Sequence, residues 1–377
     1  MRRVATPPRP NWRATVNRYG IDFDTPGGKP YWDESVCYEL NVAEIDDLEQ
    51  AAQTVHDLCL ELVDEIVSDE MWHLFDLPES FIPMVVRSWR EEAPSIYGRF
   101  DFAFGTGGPP KLLEYNADTP TSLIEAAVAQ WFWLKDIDSM GDQFNSIHER
   151  LIESWKRQAP VTGRRIAFTG LSNHPEDLAT VEYLRDTAIQ AGLETRLLDI
   201  GDIGHDSRRG GFIDARDGSA LPCVFKLYPW EWMLKERYGA LLSASPTVWV
   251  EPPWKSLLSD KGILPLLWER HPDCPYLLPA TFEKPDWDHV AKPRHGREGA
   301  NIEIVRDGRV THRTEGPYST GESVFQAWHP LPSFQGRYPV MGCWIVDDVA
   351  CGLGIREDDG PVTRDRSQFI PHRMIRI

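Results

Sequence analysis

The sequence lacks the features that mark membrane-spanning, secreted and cysteine-rich proteins. It has no run of about 18 apolar residues, so we expect no membrane-spanning helix. Its six cysteines are scattered and form no CxxC pair, which argues against a zinc site or a disulfide framework. The N-terminal residues contain no apolar segment of the kind found in signal peptides. We therefore expect a cytoplasmic protein with reduced thiols.

Other absences narrow the chemistry. No GxSxG motif and no convincing Ser–His–Asp or Cys–His arrangement is found, so an enzyme nucleophile is not expected. A Walker A loop is also missing. The chain carries 40 basic against 58 acidic residues, a net charge of −18, which disfavours nucleic acid and anionic membranes as partners. The same charge gives weak support for a cationic ligand.

The residues that are present indicate a packed α/β protein. With 377 residues, 41% hydrophobic content and fifteen tryptophans, the chain can form two or three domains or lobes. Residue spacing predicts helices over 43–68, 121–137, 143–157 and 262–269. A strand over 165–170, a helix over 176–191 and a strand over 194–198 predict a βαβ unit. Several strands follow the helix that begins near residue 256. The predicted fold class is therefore α/β (α+β).

Two short segments alternate between polar and apolar residues, as β-strands do. In 99–102 the polar residues are Arg99 and Asp101, and in 113–116 they are Glu114 and Asn116. Turn residues at 105–110 predict an antiparallel hairpin between them. If the polar faces coincide, three oxygen ligands and one guanidinium meet, which suits Mg²⁺ and phosphoryl transfer. A half-buried hairpin with a solvated polar face is the alternative, and these residues alone leave it open.

The sequence resembles the ATP-dependent ligase part of the glutathionylspermidine synthase family. The resemblance begins near residues 9–12, runs almost to the C-terminus, and rests on 99–101, 113–122, 226–231, 261–265, 292–301, 326–332 and 354–358. It implies an ATP-grasp type nucleotide site with an accompanying Rossmann-like lobe. We expect an N-terminal part (1–160) with the Mg²⁺ hairpin, a Rossmann-like lobe (161–250), a nucleotide-binding lobe (251–377), and no amidase domain.

The resemblance also implies roles for individual residues. Arg99 is the expected catalytic residue and also contacts ATP, and the expected Mg²⁺ ligands are Asp101, Glu114 and Asn116. The other expected nucleotide contacts are Lys261, Lys292, Arg297, Glu298, Gln326, Ala327, Trp328, His329, Val362 and Thr363. The expected substrate contacts are Thr119, Thr121, Ser122, Glu176, Asp177, Leu227 and Arg356.

Without the resemblance, several of these residues have ordinary structural interpretations. By spacing alone, Lys261 and Lys292 fit a surface hairpin with solvated lysines. Glu176 and Asp177 fit first-turn acids favoured by the helix dipole better than they fit an ammonium site, and only the resemblance makes the two interpretations even. Trp328 and His329 fit packing residues, and an arginine such as Arg356, after the predicted strand 351–355, can cap a neighbouring acid. Asp118 and Pro120 are expected to begin the helix over 121–137.

The implied reaction joins a small carboxylate to a small amine through an acyl phosphate, using ATP and Mg²⁺. Glutathione is one acid and a polyamine such as spermidine is one amine that the family suggests. The chain departs from its polyamine-using relatives at Ser367-Gln368, where they carry an acid after the serine, which weakens the spermidine assignment. A ligase for another peptide or amino acid, and a protein that only senses or hydrolyses ATP, are the alternatives. We also expect the loop 296–299 to be a mobile cover over the phosphates. The oligomeric state is not predicted.

Overall fold

The computed structural model describes residues 1–25, 28–318, 321–365 and 367–375. Helices and strands alternate through most of the chain. The α-helices are α1 (Trp12–Asn17), α2 (Val42–Ser68), α3 (Ile82–Arg90), α4 (Gln130–Ile137), α5 (Ile147–Thr162), α6 (Pro175–Gln190), α7 (Trp230–Met233), α8 (Lys255–Ser259) and α9 (Ile263–Arg270). A π-helical segment, Glu125–Ala129, runs directly into α4.

The strands form several separate sheets. In chain order they are β1 (Arg2–Ala5), β2 (Asp24–Thr25), β3 (Lys29–Pro30), β4 (Val36–Asn41), β5 (Tyr97–Ala103), β6 (Lys111–Asn116), β7 (Arg165–Gly170), β8 (Glu194–Asp199), β9 (Ile203–Asp206), β10 (Gly211–Asp214), β11 (Cys223–Lys226), β12 (Val248–Val250), β13 (Ala280–Thr281), β14 (His289–Pro293), β15 (Glu303–Arg306), β16 (Arg309–Arg313), β17 (Ser323–Ala327), β18 (Tyr338–Val346), β19 (Val349–Asp358), β20 (Gln368–Ile370) and β21 (His372–Ile375).

An antiparallel five-stranded sheet of order β20-β19-β18-β5-β6 holds the predicted hairpin. It joins strands from both ends of the chain, because β5 pairs with β18. Phe100 and Phe102 point into the core and are fully buried. Helix α2 packs across β18 and β19; its helical spacing buries Leu48, Val55 and Leu62. The predicted helix over 43–68 is thus confirmed, and a capping box between Asn41 and Glu44 begins it.

A four-stranded parallel sheet of order β12-β11-β7-β8 forms the second layer. Strand β7, helix α6 and strand β8 are the predicted βαβ unit, which is confirmed. A mixed apolar core of Trp155, Phe168 and Phe225 fills the space between this sheet and α5. The carboxyl end of β7 therefore leads into α6 close to the hairpin sheet, at the place where open α/β sheets bind ligands.

A second antiparallel five-stranded sheet, of order β13-β17-β14-β15-β16, carries the loop between β14 and β15. The predicted strands over 288–291, 302–305 and 323–325 correspond to β14, β15 and β17. Strands β1, β4 and β21 form a further sheet that links the two ends of the chain. The division into parts 1–160, 161–250 and 251–377 stays a prediction. Within the described residues, no helix is both long enough and apolar enough to cross a bilayer.

Several predicted boundaries were wrong. The helix expected over 121–137 leaves Thr121 and Ser122 outside, because the backbone of Ser122 has a left-handed φ of 66°. The helix expected from residue 143 begins at Ile147, since Gln143 instead donates to the carbonyl groups of Gln130 and His372. Strand β19 continues to Asp358, so Arg356 lies within the strand rather than after it.

Candidate active site

The hairpin of β5 and β6 brings the predicted polar residues onto one face. Its register pairs Asp101 with Glu114 and Arg99 with Asn116. A β-bulge after Asp101 separates this part of the hairpin from the loop. The apolar partners Phe100 and Tyr115 stack on the opposite face, with ring centroids 3.8 Å apart. The predicted coincidence of the two polar faces is confirmed.

Asp101 is the centre of a dense ionic network. Its carboxylate accepts hydrogen bonds from Arg99 Nε (2.8 Å), Arg356 (2.9 Å) and the amide nitrogen of Asn116 (3.3 Å). Burial alone would raise the pKa of Asp101, but the charges of Arg99 and Arg356 hold it below its ordinary value. Arg99 is only 5% exposed and also donates to the carbonyl oxygen of Thr121 at 2.6 Å. Both groups are therefore held charged in fixed positions.

A cavity of about 330 Å³ opens above this network. The structure brings most of the predicted site residues to its wall, namely Arg99, Asp101, Glu114, Asn116, Thr119, Thr121, Asp177, Leu227, Lys292, Arg297, Glu298, Gln326, Ala327, Trp328, His329, Arg356, Val362 and Thr363. Lys261 lines a small adjoining cavity that shares Glu114, Asn116 and Arg297 with the large one. Ser122 and Glu176 line neither cavity.

The two predicted lysines are buried, so the alternative of solvated surface lysines does not describe them. Lys261 Nζ donates to the carbonyl oxygen of Gly296 at 2.6 Å and pairs with Glu114 at 2.8 Å. Lys292 Nζ donates to the carbonyl oxygen of Leu113 and to Gln326 Oε1, at 2.7 and 2.6 Å. Burial lowers the pKa of Lys292 to about 8.

The segment predicted as an adenine hinge follows Gln326. The N–H groups of Ala327 and Trp328 already donate to the carbonyl oxygens of Pro279 and Asp288, at 2.7 and 2.9 Å. These two N–H groups are therefore already engaged within the protein. His329 Nε2 lies 3.5 Å from Thr106 Oγ1 in the loop of the hairpin.

The loop between β14 and β15 lies over the cavity. Arg297 Nη1 donates to Thr119 Oγ1 at 2.7 Å, and its Nη2 donates to Glu231 Oε1 at 2.6 Å. Gly299 has a φ of 65°, and a Cβ at this position would clash with the carbonyl oxygen of Thr363. Glycine is therefore required for both reasons, and the loop contacts the segment that carries Val362 and Thr363. The predicted mobility of this loop stays a prediction.

Another part of the cavity wall, near the start of α6, is acidic. Asp177, in the first turn of α6, lies 3.4 Å from His174. Burial and the nearby charge of Glu176 raise the pKa of Asp177 to about 6. Burial and the charge of Glu176 likewise raise the pKa of Glu298, which lines the same cavity. Ser122 lies behind this group, with its hydroxyl 2.8 Å from the hydroxyl of Tyr31 and 3.5 Å from Glu176.

Sequence reasoning misplaced Asp118 and passed over two of its neighbours. Asp118 does not cap the helix after it, because its carboxylate accepts from Lys226 Nζ (2.5 Å) and from the backbone N–H of Trp230 (3.0 Å). It thus caps α7, whose first turn carries Glu231. Asp118, Lys226 and Glu231 all belong to segments that carry the family resemblance. The density of those motifs could have pointed to them, but their pairing across more than a hundred residues could not be read from the sequence.

The donor groups on the hairpin are those that Mg²⁺ prefers. Asp101 and Glu114 supply carboxylates, and Asn116 uses its amide nitrogen toward Asp101, which leaves its amide oxygen for a metal. No group of three or more His, Cys, Asp or Glu side chains suited to a metal is found in the described part of the chain. Two carboxylates and one amide are therefore an incomplete shell, and substrate phosphates and water would complete it.

Nearly the whole chain matches one known protein family. The family model described as glutathionylspermidine synthase preATP-grasp matches residues 3–375. The chain belongs to this family. It is accordingly an ATP-dependent ligase that forms carbon–nitrogen bonds, of the glutathionylspermidine synthase type.

Named relatives agree with this assignment. The chain is 40% identical over 400 residues to a Haemophilus influenzae protein provisionally named acid–amine ligase, with all of both chains covered. It is 28% identical to trypanothione synthetase of Crithidia fasciculata, covering 85% of this chain and 54% of that protein. It is 27% identical to the bifunctional glutathionylspermidine synthetase/amidase of Escherichia coli, covering 89% and 58%. The chain thus spans little more than half the length of these last two relatives.

A solved structure supports the predicted fold. The glutathione synthetase-like effector of Globodera pallida has a TM-score of 0.58 to this chain at 10% identity, and the match covers 90% of this chain and 89% of the other. At this identity the likeness concerns the fold alone. The predicted α/β architecture related to ATP-grasp ligases is confirmed.

Proposed function

We propose that the protein joins a small carboxylic acid to a small amine through an acyl-phosphate intermediate. The observation that carries this proposal is the cavity itself, whose wall carries two groups of side chains of different character, called here the phosphate end and the amine end. Arg99, Asp101, Glu114 and Lys292 form the group suited to phosphates, and Asp177 belongs to the group suited to an ammonium. Both ends are needed when an acid is first phosphorylated and then attacked by an amine.

In the first step, a substrate carboxylate oxygen attacks the γ-phosphorus of ATP and ADP leaves. Lys292 and Lys261 would contact phosphate oxygens, and Asp101, Glu114 and Asn116 would hold Mg²⁺. The ion, when bound, neutralises charge on the phosphates. Arg99, fixed by Asp101 and by the Thr121 carbonyl group, would stabilise the charge on the transferred group.

In the second step, the amine nitrogen attacks the acyl carbon, phosphate leaves, and the nitrogen loses a proton. Arg356 would bind a substrate carboxylate, since its guanidinium lines the cavity and is planar. Asp177 would receive the ammonium group, because it supplies a carboxylate to the cavity wall. Thr119 and Thr121 line the same cavity.

The acid could be glutathione and the amine a polyamine, since the bifunctional relative is named for glutathionylspermidine. The departure at Gln368 is less informative than the sequence suggests. Its amide group accepts from Arg337 (2.8 Å) and donates to the carbonyl oxygen of Pro30 (2.9 Å), and it does not line the cavity. Its identity therefore bears on packing more directly than on the amine.

The test is release of ADP and phosphate by the purified protein with ATP and Mg²⁺, across a matrix of acids and amines. We expect turnover to rise with a suitable acid and to rise further when an amine is added, with an amide product seen by mass spectrometry. Glutathione with spermidine is one of the combinations. If no acid or amine raises basal hydrolysis, the protein that only senses or hydrolyses ATP becomes the better description.

A further inference from the structure

We propose that Glu231 is a positioning residue of the ligase, which holds the guanidinium of Arg297 between the large cavity and the smaller one. The inference rests on the proposed function, because it takes Arg297 as one of the ATP contacts that the family resemblance implies. Neither the motif chemistry nor the relatives assign a role to Glu231.

The contact is short and partly shielded from water. Arg297 Nη2 donates to Glu231 Oε1 at 2.6 Å, and the Glu231 side chain is only 17% exposed. Burial alone would raise the pKa of Glu231, but the charge of Arg297 holds it below its ordinary value. Arg297 Nη1 donates to Thr119, which leaves Nε as the one guanidinium nitrogen with no hydrogen-bond partner among the described residues. A phosphate oxygen is the kind of acceptor that would satisfy it.

Glu231 is itself fixed by a buried chain of contacts. Helix α7 begins where the Trp230 N–H donates to Asp118, and Asp118 pairs with Lys226 at 2.5 Å. The Lys226 ammonium group also lies 4.5 Å from the centre of the Trp230 ring. These groups are all essentially inaccessible to water. A glutamate in the first turn of so rigid a helix can orient a partner more precisely than one on a loop.

The position of Arg297 explains why the orientation of its guanidinium matters. Arg297 lines both cavities, and both cavities also include Glu114, Asn116 and Thr119. The guanidinium therefore lies where the expected metal ligands meet the expected nucleotide wall. Without Glu231, the flexible side chain would lose its fixed geometry, and the loop that carries it would lose one of its contacts with α7.

The experiment compares Glu231→Gln with Arg297→Ala and with the double variant. The readouts are the Kd of the Mg²⁺ complex of a non-hydrolysable ATP analogue and the hydrogen exchange of amides in 294–301 without nucleotide. We expect Glu231→Gln to raise the Kd about tenfold in the wild-type background and less than twofold in the Arg297→Ala background, since coupled residues are non-additive. We also expect faster exchange in the loop.

Glu322→Gln is the matched control, because Glu322 pairs at 3.2 Å with Arg294 of the same loop but is 81% exposed. It should leave the Kd within twofold. If Glu231→Gln folds poorly, Arg297→Lys tests the same geometry, since one ammonium cannot reproduce the two-nitrogen contact with Glu231 and Thr119. Equal losses in both backgrounds, or unchanged exchange with intact analogue binding, would overturn the positioning role alone. A wild-type protein that binds no analogue would instead overturn the proposed function.

Discussion

The two ends of the cavity differ in how their charges are balanced. At the phosphate end, Asp101 contacts Arg99 and Arg356, and Glu114 contacts Lys261. At the amine end, Asp177 lies near His174 and Arg297 and also near the charges of Glu176 and Glu298. The charges of Arg99 and Arg356 hold the pKa of Asp101 below its ordinary value, whereas burial, with the charges of Glu176 and Glu298, raises the pKa of Asp177. The partners of Asp101 thus stabilise its charged form, whereas the charged form of Asp177 is disfavoured in the free protein.

The two ends therefore differ in how far they are preorganised for a ligand. Arginines held by carboxylates are already oriented for phosphate oxygens, so little reorganisation is needed when ATP binds. Loss of one partner there leaves a buried charge unpaired, which costs both activity and stability. At the amine end, burial and neighbouring acids disfavour the charged form of Asp177, so removal of this acid should stabilise the free protein while it weakens amine binding. The two ends should therefore respond to mutation with opposite signs of stability change.

The largest expected effect is that of Arg99→Ala. This variant removes the group that would stabilise the transferred phosphoryl charge and leaves Asp101 with one guanidinium fewer. We expect turnover to fall about 10²–10³-fold and the protein to lose about 3–5 kcal/mol of stability. Both are measured on the same preparation, by ADP release at saturating substrates and by chemical denaturation. Turnover within threefold of wild type would remove Arg99 from the chemistry.

The second prediction sharpens the assignment of the phosphate end to Mg²⁺. Glu114→Gln keeps the size of the side chain but removes the charge opposite Asp101 in the hairpin. We expect the Mg²⁺ concentration for half-maximal turnover to rise by about tenfold or more at fixed ATP. Much of the turnover should return at saturating Mg²⁺. An unchanged Mg²⁺ titration would mean that Glu114 acts only as the partner of Lys261.

Local periodicity accounts for what could be predicted from the sequence. The alternation in β5 and β6 predicted which residues share a face, and the spacing in α2 predicted its buried side. Both depend on neighbours in the chain. The hydrogen bonds of Gln143 to the carbonyl groups of Gln130 and His372, and the course of Arg356 within β19, depend instead on partners from distant segments. Such partners override local preference and leave no periodic signal.

Asp118 shows the same limit within the site. Its position before a threonine, a proline and an apolar run is good capping chemistry, and the inference failed only because Lys226 and Trp230 compete for the same carboxylate. The resemblance identified the segments that contain all three residues. It could not say which of these residues contact ligands and which support the site from below. That distinction depends on the tertiary contacts.

The third prediction concerns pH at the phosphate end. Burial lowers the pKa of Lys292 to about 8, so its charged form is present below that pH and is lost above it. We expect kcat/KM for ATP to be flat below about pH 7, to halve by about pH 8, and to approach a tenfold fall per pH unit beyond, since about a tenth of the charged form remains one unit above a pKa. In Lys292→Arg the alkaline fall should disappear, because arginine keeps its charge. An identical profile in the variant would assign the fall to another group.

The smallest expected effect tests the amine end. Asp177→Asn removes one carboxylate that faces Glu176 and Glu298, so we expect the KM for the amine to rise about three- to fivefold, as for a partly exposed ion pair. The KM for ATP should not change. In the wild type the KM for the amine should also rise as the pH falls through about 6, where Asp177 takes up a proton, and this dependence should weaken in the variant.

The stability of the Asp177→Asn variant tests the same difference between the two ends. A carboxylate whose folded pKa is raised loses stability as the pH rises through its range, because the charged form is disfavoured in the folded state. Asp177→Asn avoids that cost, so its Tm at pH 7.5 should equal or exceed that of the wild type, whereas Arg99→Ala should lower it. Asp186→Asn, on the exposed side of α6, is the control and should change neither the Tm nor the KM for the amine. A lower Tm in Asp177→Asn would show that this end is also balanced within the protein, and the contrast between the two ends would fail.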